Sequence, residues 1–218
     1  MNIYIDTASP EQIRTAERRF QLDGVTTNPS IVAETDRRYK NIVETAGEIT
    51  DGPVFAQVLA ESVDGMVREA RGYQDWADDV VAKIPATRLG FEALGRLRAD
   101  GVPAGATVVY TAEQAVLAAK NNATFVAPYV GRIDDSGADG IATTRRIQST
   151  FDAQGFETEV LAASIRNTTQ ATALYESGID AITMSPAVLD AHVDSSETAE
   201  SVAGFAAAWG DRDPPLSE

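Results

Sequence analysis

Short apolar runs alternate with amphipathic segments along this chain. Eight runs have the length and the β-branched content of buried strands, and they cover residues 2–6, 24–28, 54–59, 80–85, 104–110, 124–130, 159–166 and 180–185. Between them, apolar residues recur at the i, i+3, i+4 spacing of a helix that packs one face on a core. The pattern therefore predicts eight strand–helix units.

Local signals place the ends of several predicted helices. The first helix begins after Ser9, with Pro10 at its first position and Gln12 completing a capping-box pattern. Others begin after Ser, Thr or Asp and end near Gly. The segment of residues 30–49 has a mixed pattern, and we predict one helix there.

Strand–helix alternation on short connections predicts an α/β fold with parallel strands and right-handed crossovers. Eight such units match a (β/α)8 TIM barrel. A doubly wound open sheet is the alternative, but it usually carries a Gly-rich phosphate loop after its first strand, where this chain has ASPEQIRT. No repeat or low-complexity linker interrupts the pattern, so we predict one domain over residues 1–218.

An extra amphipathic helix is predicted over residues 196–210, beyond what the barrel requires. Val202, Phe205 and Trp209 fall on one of its faces. Such an apolar face is typical of a docking surface on a neighbouring subunit. Packing across the end of the barrel is the alternative, and the sequence does not choose between them.

Composition narrows the possible functions. The chain has no Cys and one His, so disulfides, thiolate nucleophiles and the usual zinc sites are not expected, and we expect no metal or cofactor. A formal net charge of -15 argues against nucleic acid and anionic membranes as partners. We find neither a targeting leader nor an apolar stretch of membrane-spanning length, which favours a cytoplasmic protein. The preference for Arg over Lys resembles proteins of saline cytoplasms, although an ordinary acidic cytosolic protein would also fit.

Lys83 stands inside the apolar run VVAKIPAT, where an ammonium group would be costly to bury. A lysine in such a place is expected to be a free amine at neutral pH, and a free amine can form a Schiff base with a carbonyl substrate. The alternative is a strand-end lysine whose head group reaches water or pairs with a carboxylate.

Polar residues collect where the predicted strands end, and in a barrel these ends share one rim. In chain order they are Asp6, Thr26, Asn28, Gln57, Lys83, Thr107, Tyr129, Ser164 and Arg166. One amine, one carboxylate, one phenol and one guanidinium on the same rim, among hydroxyl and amide groups, are difficult to explain by packing alone. We therefore predict a polar active site there.

Five motifs carry a resemblance to a known family. They are GVTTNPS (24–30), FAQV (55–58), VVAKIPAT (80–87), APYVGRIDD (127–135) and LAASIR (161–166). Together they resemble the small transaldolase family, and within it the fructose-6-phosphate aldolase branch. The similarity runs from NIYIDTA through the eighth strand. It implies a metal-independent Schiff-base aldolase on a barrel, assembled into rings of five or stacked to ten.

The resemblance implies roles for the matching positions. Lys83 is similar to the Schiff-base lysine, and Asp6 resembles the carboxylate that handles the proton of the C4 hydroxyl. The groups that resemble holders of a catalytic water are Gln57, Thr107 and Tyr129. Positions similar to the donor-binding residues are Thr26, Asn28 and Ser164. Those that resemble the phosphate site are Arg132, Ser164 and Arg166.

Gln57 and Tyr129 match the aldolase branch, whereas transaldolases carry Glu and the larger ones Phe there. Gly131 stands where Asn is familiar, which is expected to loosen the loop that aims Arg132, and Arg166 is more like the transaldolases. We predict reversible cleavage of fructose 6-phosphate into dihydroxyacetone and glyceraldehyde 3-phosphate. The alternatives are a transaldolase and a non-catalytic sugar-phosphate-binding barrel. A metal-dependent aldolase is disfavoured because His192 is the only imidazole and lies far from the motifs.

Overall fold

Eight parallel strands close into a barrel in the computed structural model, which describes residues 1–210 and 212. The strands are β1 (Asn2–Asp6), β2 (Gly24–Thr26), β3 (Val54–Gln57), β4 (Val80–Pro85), β5 (Ala104–Val109), β6 (Phe125–Pro128), β7 (Glu159–Ile165) and β8 (Ala181–Met184). Each strand pairs with the next, and β8 closes on β1 with Asn2 opposite Ala181. The predicted (β/α)8 fold is confirmed. Residues 211 and 213–218 of the predicted domain lie outside the described part.

Helices connect the strands on the outside of the barrel, and the last two helices of the described residues follow β8. They are α1 (Pro10–Arg19), α2 (Pro29–Ala33), α3 (Tyr39–Ile49), α4 (Val63–Tyr73), α5 (Arg88–Ala99), α6 (Ala112–Lys120), α7 (Val130–Asp135), α8 (Gly140–Gln154), α9 (Thr168–Tyr175), α10 (Pro186–Asp190) and α11 (Ser196–Trp209). The apolar faces of most of them pack on the outer faces of the strands to form the larger core, and α2 and α11 contribute no buried residue to it. Among the described residues, no helix is long and apolar enough to cross a membrane.

The prediction of one helix over residues 30–49 is wrong, because the chain forms α2 and α3 with a break between them. Residues 34–38 are Glu, Thr, Asp and two Arg, so no apolar side chain holds this turn against the core. The predicted second strand is also too long. Asn28 lies outside β2 and caps α2, its side-chain oxygen accepting from the backbone N–H groups of Ser30 and Ile31.

The sixth predicted strand ends earlier than expected, at Pro128. Tyr129 is the N-cap residue of α7, and Val130 is its first residue. α7 has only 6 residues, with Val130 and Ile133 buried one turn apart. Such a short helix leaves no recognisable helical period in the sequence.

Only one of the two hydrogen bonds of the predicted capping box forms at the start of α1. The Ser9 hydroxyl accepts from the Gln12 N–H, but the Gln12 side chain accepts from the Thr7 hydroxyl instead of returning to Ser9. The Ser9 N–H, which Gln12 would bind in a complete capping box, donates to the Thr7 hydroxyl instead. A complete capping box forms at α6, between Thr111 and Gln114.

Aromatic side chains fill the barrel toward the amino-terminal ends of the strands. Tyr4 packs edge-on against Phe55 with ring centroids 5.0 Å apart, and Phe55 packs against Phe125 at 5.1 Å. Gly105 leaves room for this layer, since a Cβ there would lie 2.2 Å from the Phe125 ring. The interior is therefore packed at this end, and the polar strand ends stand above a closed floor.

Two strands are irregular near the opposite end. The register of β5 shifts between Ala106 and Val109, and that of β7 shifts between Ala162 and Ile165. Val108 and Ser164 both have φ of 59°, a left-handed conformation that costs a non-glycine residue about 1–2 kcal/mol. The consequence is that Ala163 and Ser164, which are neighbours in sequence, both face the interior instead of alternating.

The last helix, α11, has no buried residue. Val202 is 60% exposed, Phe205 is 75% exposed and Trp209 is 46% exposed. The alternative that this helix packs across the end of its own barrel is therefore wrong.

Candidate active site

A cavity of about 400 Å³ opens at the carboxyl-terminal ends of the strands. Most of the predicted site residues line it, namely Asp6, Asn28, Gln57, Lys83, Tyr129, Arg132 and Ser164. Thr26 and Thr107 are fully buried behind the lining. Arg166 is not part of the lining. The closed barrel thus brings together side chains that are far apart in sequence, as the rim argument predicted.

Lys83 lies on the inner face of β4 with 3% of its surface exposed. Its Nζ donates to the backbone carbonyl of Thr27 at 2.9 Å, its only hydrogen bond with the described residues. Among these residues it forms no ion pair. The alternatives of a side chain that reaches water or pairs with a carboxylate are therefore not what is observed.

Asp6 presents a carboxylate to the same cavity. The Thr26 hydroxyl donates to its Oδ1 at 2.8 Å, and the Asn28 amide donates to its Oδ2 at 3.5 Å. Burial raises the pKa of the Asp6 carboxyl above its ordinary value, although Lys83, when it carries its proton, and these two donors oppose the rise. A carboxyl with a raised pKa suits proton transfer near neutral pH.

Tyr129 and Gln57 supply uncharged polar groups near Lys83. The Tyr129 hydroxyl is 3.0 Å from the hydroxyl of Thr107, which is buried behind it. The Gln57 Oε1 is buried but has no hydrogen-bond partner among the described residues. A buried carbonyl oxygen is stable in a protein only with a donor, so this atom is suited to accept from a water or a substrate hydroxyl.

The two predicted phosphate-binding arginines are placed differently. Arg132 is exposed at the mouth of the cavity, with its guanidinium 5.2 Å from the centre of the Tyr129 ring. Arg166 turns away and forms a two-pronged ion pair with Asp135. It crosses Gly131, where a Cβ would lie 2.6 Å from the Arg166 Nε. Gly131 is buried within α7, so the expectation that it loosens a loop is not what is observed.

Sequence reasoning missed three groups at the site. Thr183 of β8 lines the cavity and is 2.7 Å from the Thr26 hydroxyl, and its inward alternation with Ala181 was a usable signal. The Thr27 carbonyl is a main-chain group, which leaves no trace in the residue pattern. Tyr39 bonds both to Thr27 and to Gln57, but it lies in a helix whose pattern was mixed.

Among the described residues, no group of three or more His, Asp or Glu side chains is arranged to hold a metal ion. The fold and the cavity define a (β/α)8-barrel protein with a buried lysine at the carboxyl-terminal mouth of the barrel. The family model for transaldolase/fructose-6-phosphate aldolase matches residues 3–213. The chain belongs to this family, which confirms the resemblance that its motifs predicted and places it among enzymes.

Relatives of the family cover nearly the full length of the chain. A probable transaldolase of Methanococcus maripaludis is 38% identical over 209 residues, covering 96% of this chain and 97% of the relative. A probable transaldolase of Hyphomonas neptunium is 39% identical over 207 residues, covering 95% and 96%. The names of these relatives match transaldolase, the first of the two activities in the family description.

Solved structures share the fold at low identity. Thiamine phosphate pyrophosphorylase from Pyrococcus furiosus superposes with a TM-score of 0.58 at 18% identity, covering 84% of each chain. A mandelate oxidase mutant superposes with a TM-score of 0.57 at 13% identity, covering 84% of this chain and 63% of that one. These similarities concern the barrel alone.

Proposed function

We propose that this protein is a class I aldolase that reversibly cleaves fructose 6-phosphate into dihydroxyacetone and glyceraldehyde 3-phosphate. The observation that carries the proposal is the environment of Lys83. Its amine is buried, forms no ion pair with the described residues and faces a polar cavity shared with Asp6 and Tyr129. A protein that only bound sugar phosphates would have no need of a buried amine there.

In the first step, the lone pair of the Lys83 amine attacks the C2 ketone of the sugar. The C=O π bond breaks, and its oxygen takes a proton to give a carbinolamine. Loss of that oxygen as water gives a protonated iminium, which can accept an electron pair from the neighbouring carbon.

Asp6 then acts as the general base. Its carboxylate takes the proton of the C4 hydroxyl, a C4=O double bond forms, and the electrons of the C3–C4 bond move into the iminium. The products of this step are an aldehyde and an enamine held on Lys83. The raised pKa of Asp6 favours this proton transfer, because the carboxyl holds the proton more firmly than an ordinary aspartate would.

The enamine is next protonated at C3, and water hydrolyses the resulting iminium to release dihydroxyacetone and free Lys83. We propose that Gln57 and Tyr129, with Thr107 behind Tyr129, hold the water that serves these transfers. The Gln57 Oε1, which has no hydrogen-bond partner among the described residues, supports this role. Neutral partners suit the step, because they orient water without adding charge beside Lys83.

The remaining predicted residues would orient the sugar phosphate. Asn28 and Ser164 line the cavity and can contact hydroxyl groups, whereas buried Thr26 acts through its bond to Asp6. Arg132, exposed at the mouth of the cavity, would bind the phosphate. Arg166 would reach the phosphate only after leaving Asp135.

Trapping of the Schiff base tests the proposal. Borohydride reduction with dihydroxyacetone should add the donor to Lys83, which peptide mass mapping can locate. The other two lysines, Lys40 and Lys120, are internal controls in the same sample. A Lys83→Met variant should lose both the adduct and the cleavage activity, whereas Lys120→Met should keep both. Absence of an adduct on Lys83 in the wild-type protein would favour a non-catalytic sugar-phosphate-binding barrel.

A transaldolase is the second candidate, favoured by the names of the relatives. In that reaction, an aldose phosphate such as erythrose 4-phosphate captures the enamine before it is protonated. Net formation of fructose 6-phosphate from free dihydroxyacetone and glyceraldehyde 3-phosphate distinguishes the aldolase. Transfer from fructose 6-phosphate to erythrose 4-phosphate without this net synthesis would identify the transaldolase.

We also propose that the protein is a homo-oligomer of five or ten subunits, in which α11 docks on a neighbouring subunit. The exposed apolar face of Val202, Phe205 and Trp209 supports this arrangement. Light scattering of the wild-type protein and of a Phe205→Asp variant tests it. We expect the variant to form smaller assemblies.

A further inference from the structure

Resting on the proposed aldol chemistry, we propose that the Tyr39 hydroxyl is a positioning group for Lys83. By binding the Gln57 N–H, this hydroxyl prevents the Thr27 carbonyl from pairing with that N–H in the sheet and leaves the carbonyl free to accept from the Lys83 amine. The inference concerns the junction of β2 and β3, beneath the mouth of the cavity. Tyr39 does not line the cavity, so it would act on Lys83 without touching the substrate.

The hydrogen-bond ladder between β2 and β3 stops one rung early. The Thr27 N–H donates to the Phe55 carbonyl at 3.0 Å, as in a regular parallel ladder. The next rung of such a ladder would join the Gln57 N–H to the Thr27 carbonyl. Instead, the Gln57 N–H donates to the Tyr39 hydroxyl at 2.6 Å, and the Thr27 carbonyl accepts from Lys83 Nζ at 2.9 Å.

The direction of each bond around Tyr39 can be assigned. The Thr27 hydroxyl donates to the Phe55 carbonyl at 3.0 Å, and a carbonyl can only accept. The 3.1 Å contact between the Thr27 and Tyr39 hydroxyls must then use the proton of Tyr39. Burial raises the pKa of Tyr39 to about 12, so the hydroxyl keeps this proton at neutral pH. Tyr39 thus accepts from Gln57 and donates to Thr27.

An aromatic cluster fixes the ring that carries this hydroxyl. Tyr39 packs edge-on against Tyr73 with centroids 5.8 Å apart and against Trp76 at 5.7 Å. The Tyr73 hydroxyl donates to the Gln57 carbonyl at 3.2 Å. The cluster therefore holds both backbone groups of Gln57, but only Tyr39 also reaches Thr27.

The Thr27 carbonyl matters because it sets the direction of the amine. A neutral amine has two N–H bonds and one lone pair. When one N–H is bound to Thr27, the orientation of the lone pair toward the cavity is restricted. After the Schiff base has formed, the single remaining N–H of the iminium can donate to the same carbonyl. Without Tyr39, the Gln57 N–H would take the Thr27 carbonyl for the missing rung, in competition with Lys83.

Two matched variants test this inference, and each removes one hydroxyl from the same cluster. In Tyr39→Phe, the rate of borohydride trapping of dihydroxyacetone on Lys83 should fall about ten- to a hundredfold, because small misplacements of reacting groups have effects of this size. The donor concentration at half-maximal rate and the melting temperature should change little, since the closed rung replaces the lost bond. In Tyr73→Phe, the trapping rate should stay within about twofold of the wild type.

A wild-type trapping rate in Tyr39→Phe, or an equal loss in both variants, would overturn the inference. Thr27→Val supplies an independent variant. It keeps the carbonyl but removes the acceptor for the Tyr39 proton, so it should lower the trapping rate, whereas Thr27→Ser should retain it. Retention of the wild-type rate in Thr27→Val would count against the relay through Thr27.

Reductive methylation with formaldehyde and borohydride separates this inference from the proposed function, because it requires no sugar site. The rate of methylation at Lys83 relative to Lys40 and Lys120 should fall in Tyr39→Phe and not in Tyr73→Phe. If dihydroxyacetone fails to modify wild-type Lys83 while this difference persists, the proposed function fails and the positioning role stands. Equal relative methylation in all three proteins would overturn the positioning role.

Discussion

Ionisation of the Asp6 carboxyl costs more free energy in the folded protein than in the unfolded chain, because burial raises its pKa. In the unfolded chain, the same carboxyl ionises at its ordinary pKa. Between these two values the folded protein binds more protons than the unfolded chain, so the free energy of unfolding falls as the pH rises through this window. Above the window the penalty is fully present.

Asp6→Asn should therefore raise the free energy of unfolding at neutral pH while lowering cleavage activity about 10²- to 10⁴-fold through loss of the base. The gain in stability should disappear as the pH falls below about 4, where the unfolded carboxyl becomes protonated as well. Urea denaturation at several pH values measures it. Asp135→Asn is the contrasting control, since Arg166 lowers the pKa of Asp135 and its removal should not stabilise the protein. A neutral-pH stability of Asp6→Asn at or below the wild type would contradict the argument.

Gln57 and Tyr129 decide what happens to the enamine if they hold the water. Gln57→Glu combined with Tyr129→Phe adds a charge beside Lys83 and removes the hydroxyl that contacts Thr107. We expect the ratio of transfer to net aldol activity to rise by about tenfold or more, within the range of proton-transfer effects. Release of free dihydroxyacetone from fructose 6-phosphate measures protonation of the enamine, and transfer from fructose 6-phosphate to erythrose 4-phosphate measures its capture, so parallel assays give this ratio. An unchanged ratio would remove the water-handling argument.

At the scale of single elements, α7 depends on the absence of a side chain at Gly131. A Cβ there would lie 2.6 Å from the Ser164 carbonyl oxygen as well as from Arg166, and a backbone atom cannot simply rotate away. Gly131→Ala should lower the free energy of unfolding by about 1–3 kcal/mol, the usual effect of overpacking. Thermal or urea unfolding measures the change.

The control is the same substitution in a helix with free space. Apart from its own helix, no atom of the described residues lies within 4 Å of a Cβ built at Gly72 in α4, so Gly72→Ala should be neutral or stabilise by up to about 1 kcal/mol. If Gly131→Ala behaves like Gly72→Ala, the close approach of α7 to β7 is not as described.

The strand ends also show how far the sequence could predict the site. Asp6 and Lys83 were predictable because inward positions alternate along a regular strand and end on one rim. Ser164 was predicted as well, but its neighbour Ala163 was not, because the left-handed residue of β7 interrupts the alternation. Arg166 was expected at the cavity, and its pairing with Asp135 depends on a tertiary contact that no local pattern encodes.

Helices were predictable where their apolar period was long. The broken segment of α2 and α3 was not, because the polar residues between them remove the period without marking a boundary. Tyr39 lies at the first position of α3, and its role at the site depends on backbone groups of Thr27 and Gln57. Main-chain partners of this kind are set by the register of the barrel, which the residue pattern alone does not fix.

At the scale of the whole molecule, acidic charge is the dominant feature. The formal net charge of -15 should produce self-repulsion that the compact state bears more than the unfolded chain. Salt screens it, since the Debye length falls from about 30 Å at 0.01 M to about 3 Å at 1 M. The midpoint of thermal unfolding should therefore rise with KCl concentration, and NaCl at equal ionic strength should give the same rise. A flat or falling midpoint would show that repulsion does not limit stability.

The aromatic floor of Tyr4, Phe55 and Phe125 has a kinetic consequence for the proposed reaction. With the barrel closed below the cavity, reactants and products must pass through the same doorway at the strand ends. In the proposed reaction, the carbonyl fragment bonded to Lys83 would lie deepest, and the phosphorylated fragment bound by Arg132 would stand in front of it. The two products should therefore depart in a fixed sequence, phosphorylated aldehyde before ketone, and in the synthetic direction the small ketone must enter first.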